Sequence, residues 1–117
     1  MILRIPKALP SWNQHYAGVH WAKRAEQALL WHDLVAVAAG QATPFTEPVH
    51  IIVTRYGRRA IDCDNVCAKL AIDGLVKAGV IENDSPKYVE SVTLRSKAGD
   101  PETVIEITSA TGRGEGE

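Results

Sequence analysis

Apolar and polar positions along the chain fall into blocks of two different periods. "MILRI" at the start alternates around Arg4 and predicts a short first strand, closed by Pro6 and Pro10, and "PSWNQHYAGVH" follows as loop. From Trp21 to Ala39, the residues Ala25, Leu29, Leu30, Leu34, Val35 and Val37 recur at helical spacing. They predict an amphipathic helix, which Gly40 can cap. "TPFTEP" breaks the chain, and "VHIIVTRY", β-branched and aromatic, predicts a largely buried strand ended by Gly57. A second helix is expected over roughly Asn65 to Ala78, with Cys67, Leu70, Ala71, Gly74, Leu75 and Ala78 as its core stripe and Gly79 at its close. Lys69, Asp73 and Lys77 stand four apart on a separate polar arc. "KYVESVTLRS" and "ETVIEIT" predict two more strands, most simply a hairpin through "KAGDP".

The order β-α-β-α-β-β implies an α/β (α+β) sandwich, a small mixed sheet covered by two helices. One domain is expected over residues 1–110. The glycine-rich acidic end, 111–117, reads as a disordered tail.

Composition narrows the class. The 117 residues are 45% hydrophobic and 23% charged, as in a globular domain, without an apolar run long enough to cross a bilayer. The N-terminal apolar block is too short for a secretory signal, and a cytoplasmic location is the expectation. Cys63 and Cys67 do not form a disulfide framework or a standard zinc spacing, so both are expected to be reduced thiols. A net charge of −1 predicts no global attraction to nucleic acid, but basic residues cluster locally. Arg4, Lys7, Lys23 and Arg24 occupy the first 25 positions without an acid, and Arg55, Arg58 and Arg59 precede a run of aspartates.

That run, "RRAIDCDNVCAKLAIDGLVKAGVIENDSP", carries the chemistry. A single acid near the start of a helix is explained as a cap. Asp62 and Asp64 together exceed that need, because carboxylates so close repel unless a cation lies between them. With Asp84 past the helix end they form an all-oxygen set suited to Mg²⁺ or Mn²⁺, the chemistry of metal-assisted phosphodiester hydrolysis. Lys69 would add a point charge for the attacked phosphate. "DCDNV" also fits the opening of haloacid-dehalogenase-type phosphotransferases, which need a longer chain. It begins like an EF-hand loop too, but lacks the central glycine and terminal glutamate.

The whole stretch resembles the RusA-type Holliday-junction resolvases, small crossover junction endodeoxyribonucleases common in phages and prophages. "DCDN", "AKLAIDGL", "KAGV" and "ENDS" carry the resemblance over residues 58–90, and "LPSWNQHY" and "HWAKR" extend it towards the start. It implies a RusA-like fold and a Mg²⁺-dependent homodimer that cuts branched DNA by paired symmetric nicks in recombination and repair. Asp62, Asp64 and Asp84 match the family's metal-binding catalytic acids, and Lys69 its essential lysine. Asn65, Asp73 and Asn83 fall on motif positions and are expected to support the ligands. Paired nicks need two sites related by a two-fold axis, which agrees with a dimer.

Lys23 and Arg24, beside Trp12, His15, Tyr16, His20 and Trp21, form an aromatic-basic segment suited to stacking on bases and gripping phosphate, although Trp21 could equally anchor its helix to the core. Arg58 and Arg59 are expected at DNA phosphates, with Arg55 either there or on a solvated strand end. His32 and His50 read as ordinary surface or core-edge histidines. Two other functions stay open: a non-cleaving DNA-structure-binding protein of the same fold, and a metal-dependent phosphohydrolase of small substrates. The first is motivated by Lys69 standing one residue further from the aspartate pair than in the family pattern and by Asn83 where an aspartate is frequent; the second, by a pI near 6.4.

Overall fold

In the computed structural model, which describes residues 1–111, the chain runs β1 (Ile2–Ile5), α1 (Trp12–His15), α2 (Trp21–Ala39) and β2 (Val49–Gly57). A 3₁₀ turn (Cys63–Asn65), α3 (Ala68–Lys77), β3 (Val89–Ala98) and β4 (Glu102–Ser109) follow. The expected mixed fold is present, with α1 as one extra turn inside the segment read as loop. Of the expected tail, 112–117 lie outside the described residues, and the Thr111 hydroxyl donates to Glu47 at 2.8 Å. Among the described residues no helix is long and apolar enough to cross a membrane.

The four strands form one sheet in the order β1-β4-β2-β3, with β2 and β3 parallel and the other pairs antiparallel. The expected hairpin is therefore not formed. β2 lies between β3 and β4, pairing Ile51 with Val92 on one side and with Ile107 on the other. β2, with no exposed residue along its length, takes an interior place. β3, polar along most of its length, takes an edge, where charged residues also discourage pairing with other chains. Residues 99–101 cross over the end of β2, where the Gly99 N–H donates to the Gly57 carbonyl at 2.8 Å. Two strand spacings of about 4.8 Å are within reach of so few extended residues.

Alternation along the strands sends Leu3, Ile5, Val49, Ile51, Val53, Ile105 and Ile107 to one face, where they meet α2 and α3. The other face carries Arg4, Tyr56, Arg95, Lys97 and Glu106 in an open polar groove. Of the expected stripe, Cys67, Leu70, Ala71, Gly74 and Leu75 are buried and Ala78 is half-buried; Gly74 meets Val35 and the Trp31 carbonyl of α2.

α2 differs from expectation in its orientation. Trp31 and Val35 are its buried residues, whereas Leu29 and Val37 are 64% and 82% exposed, and Ala25 and Leu30 are exposed as well. The helix is apolar on more than one arc, so periodicity does not choose the inner one; the close approach of α3 at Gly74 does. Trp21, 68% exposed, is no anchor, and Trp31 fills that place.

Candidate functional site

The expected second helix divides at Val66. Its backbone is extended between the 3₁₀ turn and α3, and it bridges to Ser11. The aspartates thus belong to a turn of their own, ahead of the helix. Asp62 occupies the cap position of that turn without a side-chain cap bond, and Cys67 occupies that of α3, also without one. Helix capping therefore does not account for Asp62 or Asp64. Both are exposed, as is Asp84, and none of the three makes a side-chain hydrogen bond or ion pair to another described residue.

The turn is tied to the fold on two sides. The Ile61 N–H donates to the Ser96 hydroxyl of the edge strand β3 at 2.8 Å. Arg55, on the core side of β2, donates through Nε to the Leu9 carbonyl at 2.6 Å and through Nη1 to the Arg59 carbonyl at 3.2 Å. Its guanidinium fills the space above Gly57, where an added Cβ would lie 2.5 Å from Nη1. Arg55 is thus a structural tie between two loops and does not stand free for phosphate. Arg58 and Arg59 are exposed at the start of the aspartate segment.

The segment before α1 is sutured in the same way. Buried Thr103 accepts from the Leu9 N–H at 3.1 Å and donates to the Lys7 carbonyl at 2.8 Å, while the Cys67 N–H donates to the Pro10 carbonyl at 3.0 Å. Ser11 then caps α1 reciprocally with Gln14. These bonds set Trp12 against the first turns of α3.

Lys69, Asp73 and Asp84 meet at a pocket of about 390 Å³ between α3 and β3, walled by Trp12 and floored by Ile72, Val92 and Leu94. Lys69 Nζ lies 3.2 Å from Asp73, one helical turn on. Hydrogen bonding to Asp73 and its charge raise the Lys69 pKa above the ordinary 10.5; partial burial opposes this, and Tyr16 and Asp84 add to it. Lys69 is therefore a held ammonium at neutral pH, aimed by Asp73. Burial pushes the Cys67 thiol up, which leaves it a core residue.

Asp62 and Asp64 are not among the residues lining this pocket; they stand on the adjoining turn. Their carboxylate chemistry, with that of Asp84, fits a hard divalent cation. As arranged, no three His, Cys, Asp or Glu side chains among the described residues form a group able to hold one. Gathering the three means movement of exposed, unpaired side chains, which is opposed by their own repulsion until a cation neutralises it. Asn65 is half-buried on the turn, and Asn83 is used locally, its Oδ1 accepting from the Ser85 N–H at 2.9 Å. Arg24 donates to the Val19 carbonyl at 2.8 Å and lies over the Tyr16 ring. Lys23 borders a different hollow with Gln14, Glu26 and Leu30.

Sequence reasoning did not find the pocket's apolar floor. Val92 and Leu94 sit on a strand that reads as polar, and only its place at the sheet edge brings them beside Lys69. No family model matches the chain, and no curated protein matches it.

Proposed function

We propose that this protein is a Mg²⁺-dependent, structure-selective endodeoxyribonuclease of RusA type that resolves four-way DNA junctions as a homodimer. The observation that supports the reading is that Lys69, held as an ammonium by Asp73, lines one pocket with Asp84, next to a turn whose two aspartates cap nothing. Asp62, Asp64 and Asp84 would hold the divalent cation, whose chemistry there is activation of water and neutralisation of phosphate charge. Lys69 would contact a non-bridging oxygen of the attacked phosphate, and Asp73 would keep it oriented and charged. Arg58 and Arg59 would meet the flanking backbone.

The test is cleavage of a labelled synthetic four-way junction and its matched linear duplex, with Mg²⁺ and with EDTA, by wild type and Asp64→Asn. Symmetric nicks in the junction that need both metal and Asp64 are expected. Unchanged cleavage by Asp64→Asn would refute the assignment of the site. A junction-specific gel shift without nicking would replace the nuclease with a DNA-structure-binding protein, and turnover of a phosphomonoester without DNA cleavage would replace it with a small-substrate phosphohydrolase.

A further inference from the structure

Phosphodiester hydrolysis asks for charges and polar groups and gives no reason for an apolar floor beside them. Yet the pocket that holds Lys69 and Asp84 is lined mainly by Trp12, Val66, Ile72, Val92 and Leu94. Val92 is 41% exposed within it, apolar surface left open at the sheet edge. An open hollow of about 390 Å³, mostly apolar with Lys69, Asp73 and Asp84 in its lining, has the size and character of a docking place for a flat organic group.

Its wall is an aromatic assembly. Trp12 stacks on Tyr16 with ring centroids 5.2 Å apart and planes 24° from parallel. Arg24 sits over the Tyr16 ring at 5.3 Å from its centroid. The assembly is fixed in place by the Ser11–Gln14 capping box, the Ser11 to Val66 bridge and the Cys67 N–H to Pro10 carbonyl bond. An aromatic plane held rigidly loses little further freedom when something stacks on it.

Building on the nuclease reading, we infer that this pocket receives one unpaired nucleobase, stacked on Trp12, from a nucleotide flanking the phosphate that Lys69 contacts. Every base has a π-face, so such a pocket is indifferent to sequence. A base inside a duplex is covered on both sides and cannot enter without being unstacked, which costs least where pairing is already interrupted. The pocket would thereby select branched or unpaired DNA, and would do so on a chain whose net charge of −1 supplies little general attraction for phosphate. The lining also argues for a nucleotide over an apolar segment of a second copy. Lys69 complements a phosphate, whereas an apolar cover would bury the charges of Lys69, Asp73 and Asp84 at a cost.

The experiment measures equilibrium binding, in EDTA, of a labelled oligothymidylate and of an abasic strand with the same number of phosphates, alongside a four-way junction. Wild type is expected to prefer the base-bearing strand by between about 5-fold and about 150-fold, the range of one stacked base. Trp12→Ala should bring that ratio close to one while leaving abasic-strand affinity unchanged, and Trp12→Phe should keep most of it. Val92→Asp, a change at an already exposed position, should also lower the ratio and gives a second variant should Trp12→Ala fail to fold. Equal binding of both strands by wild type overturns the base pocket and leaves the nuclease reading standing. Failure to bind either strand or the junction overturns both. A Trp12→Ala protein that keeps the base preference but changes oligomeric state overturns the inference in favour of a subunit contact.

Discussion

Gly74 is the point at which the placement of α3, and with it Lys69 and Asp73, depends on one missing methyl group. A Cβ built there would lie 2.8 Å from Val35 Cγ2, 2.9 Å from Val35 Cβ and 3.3 Å from the Trp31 carbonyl oxygen. Gly74→Ala should gain about 1 kcal/mol from helix propensity. Against this stands overpacking at a buried contact, about 1–3 kcal/mol. The expected net effect is a loss of roughly 1 kcal/mol, read as a lower urea midpoint at unchanged slope. The second residue makes the reasoning sharp. Because Val35 Cβ is itself too close, Val35→Ala should give little relief, whereas in a Val35→Gly background Gly74→Ala should become stabilising by up to about 1 kcal/mol. If Gly74→Ala stabilises the otherwise unchanged protein, or if its effect is the same in all three backgrounds, the close crossing of α2 and α3 is not what the glycine serves.

Thr103→Val keeps the shape of a buried side chain but strands the Leu9 N–H, and should cost about 1–3 kcal/mol in chemical denaturation; a loss below a few tenths would show that the loop rearranges freely. The raised pKa of Lys69 means that its pairing with Asp73 contributes fully below the unfolded value and is lost as pH climbs through the folded value, above 10.5. Both groups are substantially exposed, so wild type should exceed Asp73→Asn by no more than about 0.5 kcal/mol near neutrality, with the gap closing in strong alkali. An NMR titration of the Lys69 side chain should show its pKa fall in Asp73→Asn, and an unchanged value would deny the coupling. Cys63 is exposed and Cys67 buried, so a thiol reagent should modify one cysteine promptly and the second only on unfolding; two equally fast thiols would contradict this packing.

Much of the local structure is legible in the residues. The strand at "VHIIVTRY", the helix from Trp21 to Ala39 and the stripe from Cys67 to Leu75 follow from composition and period over short spans. So does the placing of Asp62 and Asp64 on a turn, of Lys69 near a helix start and of Asp84 in the loop that follows. These are near-neighbour properties, set by backbone preference and by repeats of a few residues. Tertiary contact decided the rest. A helix apolar on two arcs has no preferred inner face until a partner with Gly74 docks against it, which is why Trp31 is buried and Leu29 and Val37 are not. Two strands joined by a short loop pair with each other only if no better partner competes. β2, which has no exposed residue along its length, takes the interior and separates them. That exchange puts β3 at the edge with Val92 and Leu94 facing Lys69 and Trp12, and so makes a pocket from residues some 80 positions apart in sequence. Local sequence specifies which groups carry charge; only the sheet order specifies which apolar surface lies beside them, because burial is a property of the whole packed chain.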